Sequence, residues 1–295
     1  MILSKKVGIE ELQKYSPFQM LLRLSFPIIL SLVFQAVYNF VDSLYLARLG
    51  EEVLSAMSLV SVVQHLTVSF YSGIATGMSA LISRAIGAKD QDKGRTIVSS
   101  GLFLQIILIA SFVLFGLFGS RYYFATSTTN EAVITYGCSY MVPIMVFSVA
   151  AVAQVTFERL LQAAGLSKYS LVSQTVGALT NIVLDPIFIF GFMGFPALGV
   201  AGAAYATLIS QFLAAFVALY YNFKYNSAVV TKKFYNYGLD KKTVGQICVI
   251  GIPMAATGIS GAIGNYVINR IMISFGETAN AAFGVYLKVQ SIATM

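Results

Sequence analysis

Seven stretches of this chain stay apolar for long enough to cross a bilayer, and an eighth begins before the end. They cover 19–46, 54–83, 96–119, 131–157, 169–192, 198–222, 245–274 and 279 onward. About 20 consecutive apolar residues span the hydrocarbon core as an α-helix. The spacing therefore predicts seven complete transmembrane helices and the start of an eighth. Charged residues make up 11% of the chain and hydrophobic residues 57%, with a mean hydropathy of +0.78. Soluble domains carry roughly 25% charge. The fold class is an all-α, polytopic membrane protein; a soluble enzyme, a disulfide scaffold and a disordered chain are excluded.

The net charge of +7 reports topology rather than nucleic-acid binding. Fifteen of the 19 Lys and Arg lie before the first stretch, at its start, or in the loops after the second, fourth and sixth. Arg48, Arg121 and Arg270 lie on the opposite side. The positive-inside rule places the basic side, with the N-terminus, in the cytoplasm, so the chain is expected in the inner (cytoplasmic) membrane. Cys138 and Cys248 sit in apolar stretches without CxxC or Cys/His spacing and read as small buried hydrophobes. The one histidine, His65, leaves no room for an imidazole metal site and reads as a packing residue.

A repeat organises the chain. A shift of 226 residues places Pro27 on Pro253, Asn39 on Asn265 and Gly50-Glu51 on Gly276-Glu277, among nine identities over Pro27–Gln64 without a gap. Six stretches separate the copies, so both enter the membrane from the same side. This is a parallel repeat of the kind found in the halves of secondary transporters. The expected segments are 1–18 (cytoplasmic start), 19–222 (a six-helix N-terminal lobe), 223–243 (a loop between lobes) and 244–295 (the start of a second lobe). A parent protein with 12 transmembrane helices is expected, of which this chain is a C-terminally truncated piece.

Asp42 and Asp185 are the acidic residues set deepest in apolar stretches. Such groups usually face a cavity or a partner, because a mid-membrane charge costs several kcal/mol. Asp42 shares one helical face with Gln35, Tyr38 and Asn39. That face reads as a cavity wall whose carboxylate takes a proton or Na⁺; interhelical hydrogen bonding is the blander reading. Asp185 follows Asn181 by one turn and Gln174 by three, all on one side of their helix. Carboxylate and amide oxygens one turn apart suit a hard cation such as Na⁺, or a protonated acid. Pro186 donates no hydrogen bond to Ile182 and frees a carbonyl nearby. Pro27 is a candidate hinge or a simple kink. Glu158-Arg159 reads as a local ion pair or a gate contact.

In order and spacing, several motifs resemble the multidrug and toxic compound extrusion (MATE) antiporters, in their DinF-like branch. They are Ser25-Phe26-Pro27 through Tyr38-Asn39-Phe40-Val41-Asp42, Ile82-Ser83-Arg84-Ala85-Ile86-Gly87-Ala88-Lys89 and Leu161-Gln162-Ala163-Ala164-Gly165. Asn181-Ile182-Val183-Leu184-Asp185-Pro186 and Gly199-Val200-Ala201-Gly202 through Thr207 complete the set. The resemblance covers nearly the whole chain. It implies twelve helices in two lobes, a monomer at full length, and export of organic cations driven by inward H⁺ or Na⁺ flow. It assigns the ion site to Asp42, Asn181, Asp185 and a threonine that maps to Thr207, with Thr180, Tyr205 and Ser210 as substitutes. Na⁺ would sit at Asp42, Asn181 and Asp185, and no other cofactor is implied. The acid that some relatives carry in the seventh helix is absent here, which directs attention to the N-terminal lobe.

Two further readings remain beside a cation antiporter. Lipid-linked precursor and polysaccharide flippases share the architecture, but a pyrophosphate cargo calls for cationic residues in the cavity. The apolar stretches hold two acids and almost no Lys or Arg. An intramembrane aspartyl protease lacks its GxGD context at both aspartates, so no enzyme is expected.

Overall fold

The computed structural model describes residues 16–227, 229–231 and 238–274. Among them, every regular element is helical. Helix α1 (Pro17–Ala47) opens on a reciprocal cap: Ser16 accepts from the Gln19 amide, and Gln19 accepts from the Ser16 amide. It runs unbroken through Pro27. Helix α2 (Glu51–Gly87) has 37 residues, about 55 Å at 1.5 Å per residue. It therefore tilts or projects beyond the hydrocarbon core. Helix α3 (Gln91–Leu114) starts where the Asp90 side chain accepts from the Lys93 amide at 3.0 Å. A π-turn over Phe115–Gly119 carries it into α4 (Ser120–Ser127), and together they make one membrane-length element.

The stretch expected as one helix over 131–157 is two. Helices α5 (Glu131–Val146) and α6 (Val149–Ala163) meet at an angle of 52°. Pro143 cannot donate to the Ser139 carbonyl and its ring crowds that turn, so the helix fails one turn later at Phe147. Hydropathy is continuous across the break, which is why composition alone misses it. Helix α7 (Ser167–Phe190) ends at Gly191, with φ +77°. A single 3-10 turn and a short loop lead to α8 (Val200–Tyr225). Helix α9 (Lys241–Ser274) follows. Six of these elements are long and apolar enough to cross a membrane, and the bent α5–α6 pair makes a seventh. The expected eighth stretch, most of the N-terminal segment and Lys232-Lys233 lie outside the described residues.

Two main clusters of buried apolar side chains bracket the bundle. One, with Leu46, Val60, Phe124, Met141 and Ile189, gathers where α1 and α7 finish. The other, with Met78, Ile82, Ile97, Leu160 and Ile247, gathers at the end carrying the basic loops. Between them along each helix lie buried polar residues: Thr67 and Tyr71 on α2, Gln105 on α3, Gln154 on α6, and Ser173 through Asp185 on α7. Gln105 donates to the Tyr71 carbonyl at 3.0 Å and to Thr156 at 3.1 Å, tying three helices together. The outward face of α1, with Phe26, Val33, Val37, Phe40 and Leu44, is apolar and exposed, as suits contact with lipid rather than water.

The segment between α8 and α9 docks on α3. Val229 and Val230 are buried, Ser99 donates to the Gly238 carbonyl at 3.0 Å, and the Asp240 amide donates to Ser100 at 3.3 Å. Asp240 then caps α9, accepting from the Thr243 hydroxyl and amide and from the Lys242 amide. The Thr243 hydroxyl above all holds its carboxyl below the ordinary aspartate value. A group lowered on folding contributes stability above its unfolded value and loses it as pH falls through the folded one. Amide exchange at the start of α9, corrected for intrinsic rates, should stay constant from neutral pH to the ordinary aspartate range. It should rise below that range. Asp240→Ala should show the acid-like exchange at every pH.

Candidate functional site

The far ends of α1 and α7 are pinned by an edge-on contact of Tyr45 with Phe190, ring centres 6.0 Å apart. Asp42 stands five residues before the end of α1, and Asp185 five before the end of α7. Packing of α1 along α7 therefore brings both carboxylates to one level, near enough to interact electrostatically. Asp185 is fully buried and Asn181 is 1% exposed. Asn181 Nδ2 donates to Asp185 Oδ1 at 3.2 Å and to Thr207 Oγ1 at 3.4 Å. Thr207 is thus the α8 hydroxyl that reaches the amide. Ser210 is turned back to the Thr207 carbonyl, and Tyr205 is exposed.

The cluster has more acceptors than donors. Asp42 Oδ1, Asn181 Oδ1 and Asp185 Oδ2 are buried and have no hydrogen-bond partner. Buried polar atoms are almost always paired, so three orphaned oxygens in one cluster mark a place for a positive charge. Carboxylate, amide and hydroxyl oxygens are hard donors, suited to H⁺ or an alkali cation. Among the described residues no three His, Cys, Asp or Glu side chains gather as a metal site.

Sequence reasoning missed Tyr140 of α5. It is buried, within electrostatic range of Asp42 and Asp185, and within hydrogen-bonding reach of Thr207 and Gln64. No acid or amide neighbours it in the chain, and only the fold carries it to the site. On α1, Tyr38 is in polar contact with Gln35 and within electrostatic range of Asp42 and Asp185. Gln35, Tyr38 and Asp42 are partly buried, whereas Asn39 is exposed. Gln174 lies on the buried side of α7 but joins a different group: it accepts from Gln154 Nε2 at 3.2 Å.

That second group corrects the reading of Glu158-Arg159 as an ion pair. Glu158 is 8% exposed, and its Oε1 accepts from Ser173 at 2.9 Å and Gln154 at 3.2 Å. Arg159 instead donates to Gln162 at 3.0 Å. On a bent helix the two neighbours point to different surroundings: the acid turns inward among α7 and α8, and the base stays with its own helix. His65, expected to pack, is exposed on α2.

The bundle thus holds buried carboxylate oxygens without hydrogen-bond partners on α1 and α7. The MatE family model matches residues 27–187, which is more than half of the chain and includes both aspartates. The chain belongs to the MatE family. It is 30% identical over 275 residues to a probable multidrug resistance protein of Bacillus subtilis, covering 91% of this chain and 59% of that protein. It is 26% identical over 274 residues to a FAD transporter of Shewanella oneidensis, covering 93% and 60%. A solved structure of a multidrug resistance MATE transporter in an outward-facing conformation superposes with a TM-score of 0.86 at 25% identity, over 99% of this chain and 65% of that one. The chain spans about 60% of the length of these curated relatives. Members of the family are transporters rather than enzymes.

Proposed function

We propose that this chain is the N-terminal lobe, residues 19–222, and the beginning of the second lobe of an exporter of organic cations driven by inward H⁺ or Na⁺ flow. Residues 223–243 join the lobes, and the N-terminus and basic loops face the cytoplasm. The whole protein works in the lipid bilayer as a monomer and binds no nucleic acid. The single observation that carries the reading is the set of three buried, partnerless oxygens on Asp42, Asn181 and Asp185.

An ion entering from outside neutralises the Asp42–Asp185 pair, with Asn181 and Thr207 holding it. Two carboxylates in one dry pocket exchange protons as a unit. Neutralisation removes the counter-charge that held a cationic cargo, against the wall formed by Gln35, Tyr38 and Asn39 on α1, and the cargo leaves outward. Release of the ion to the cytoplasm restores the acid pair. Coupling requires that ion and cargo favour opposite states. Bending of α1 at Pro27 is one way to link them.

The buried acids also separate this reading from its neighbours. An anionic cargo, such as a lipid pyrophosphate or a flavin dinucleotide, needs cationic groups in the cavity, and the side chains gathered at this site are acids, amides and hydroxyls. The test uses the full-length protein in proteoliposomes with a fluorescent organic cation. Export driven by an imposed pH gradient, an imposed Na⁺ gradient or both is expected. Movement of an anionic dinucleotide with no movement of the cation would replace the proposal.

A further inference from the structure

We infer that Glu158 is a second proton site, through which the coupling proton passes from Asp42 and Asp185 to the cytoplasm; this rests on the coupling function proposed above. Glu158 is buried, and among the described residues no Lys or Arg nitrogen pairs with it. A carboxylate placed in a membrane interior without a cation in direct contact is costly to keep, and chains of such groups form proton relays in transporters.

The surroundings fit a proton and not a bulky cargo or a metal ion. Ser173 and Gln154 both aim donors at Oε1, so acceptor oxygens do not converge as they would in an alkali-ion cage. The Ser173 hydroxyl also lies 2.8 Å from the Ala214 carbonyl, so its single proton serves either that carbonyl or Oε1, and the contact closes the pocket against α8. The remaining oxygen, Oε2, is the acceptor for the proton. The charged and titratable groups facing Glu158 are Arg159 on its own helix, Tyr71 from α2 and Tyr38 from α1. Only Ser173 of α7 and Gln154 of its own helix reach Glu158 by hydrogen bonds among the described residues; Gln174 of α7 stands behind Gln154, and the Ala214 carbonyl of α8 stands behind Ser173.

Position supplies the route. Ser173 and Asp185 are twelve residues apart on α7, about 18 Å along the axis. Tyr38 stands between, within electrostatic range of Asp42, Asp185 and Glu158. Beyond Glu158 the polar line continues to the basic end: Gln162 donates to Ser170 at 2.9 Å and accepts from Arg159. In the transfer, the O–H bond of a protonated Asp42 or Asp185 breaks, the proton passes through water and the Tyr38 hydroxyl, each giving up one proton as it takes another, and an O–H bond forms on Glu158. That bond then breaks as the proton leaves to cytoplasmic water.

The experiment uses full-length protein in proteoliposomes, with ethidium as cargo and a trapped pH dye. Glu158→Gln is expected to slow proton-driven export about a hundredfold, the scale of a lost positioned proton-transfer group. Its ethidium affinity in detergent should match wild type. Glu158→Asp should recover part of the rate with an altered dependence on cytoplasmic-side pH. Wild-type export by Glu158→Gln overturns the inference. So does a parallel loss of ethidium affinity, or export driven by Na⁺ and indifferent to pH. If Glu158→Gln fails to fold, Ser173→Ala decides: a displaced pH profile supports the site, and an unchanged one overturns it. Asp42→Asn separates the two readings. Its wild-type export defeats the coupling function itself, whereas loss in Asp42→Asn with none in Glu158→Gln defeats the second site alone.

Discussion

Asp185→Asn in the full-length protein is expected to abolish ion-driven export, by roughly two to three orders of magnitude, while leaving the bundle folded. The substitution is close to isosteric and keeps an oxygen to accept from Asn181 Nδ2, a bond of 3.2 Å in the wild type. It removes the ability to take and release a positive charge. A group that transfers a proton contributes typically 10²–10⁴-fold to a rate, which sets the scale. Folding should not suffer, because a fully buried carboxylate with a partnerless Oδ2 is already an expensive group in a membrane interior. An unshifted melting midpoint with lost export is therefore the expected pair of readings. Thr207→Ala is the graded companion. It removes one acceptor of the Asn181 amide at 3.4 Å, worth about 0.5–1.5 kcal/mol, and should slow export by roughly two- to tenfold. If Asp185→Asn exported at the wild-type rate under both H⁺ and Na⁺ gradients, the acid cluster would be a packing device.

Much of this site is readable in the chain because it rests on helical spacing. Asn181 and Asp185 are one turn apart, and the turn makes them neighbours whatever else the fold does. Asp42 and Asp185 meet for a reason that is also local: each stands five residues from the end of its helix, and the ends meet. Tyr140 and Gln64 come from helices whose approach no spacing encodes. Glu158 misled because adjacency to Arg159 suggested a pair, whereas neighbouring helical residues point about 100° apart. The break between α5 and α6 had a signal, Pro143, but Pro27, Pro186 and Pro253 lie inside helices that continue. Proline marks where a helix is weakened, and packing decides whether it breaks.

Gly73→Val is expected to impair the protein by a different route, at the crossing of α2 and α9. The two helices run antiparallel so close that a Cβ on Gly73 would lie 2.6 Å from the Gly251 carbonyl oxygen, and one on Gly77 would lie 2.5 Å from that of Ile247. The obstacle is backbone, which cannot rotate away as a side-chain tip does. Small residues let membrane helices approach in this way, and packing is what holds them there. Overpacking typically costs 1–3 kcal/mol, and a midpoint falls by roughly 2–4 °C per kcal/mol in chains of this size. A drop of about 5 °C is expected for Gly73→Val in detergent. The effect on transport follows from where the crossing sits. Helix α9 opens the second lobe in the proposed arrangement, so the α2–α9 contact joins the lobes near the basic loops, and forcing it apart disfavours every state in which that end is closed. Export should then fall while ethidium still binds. Gly245→Val is the control: it stands on α9 with nothing within 4 Å of its added Cβ, and it should melt and export as wild type. A Gly73→Val protein that matched that control would show that the helices part at little cost, and that closure of this end is held elsewhere.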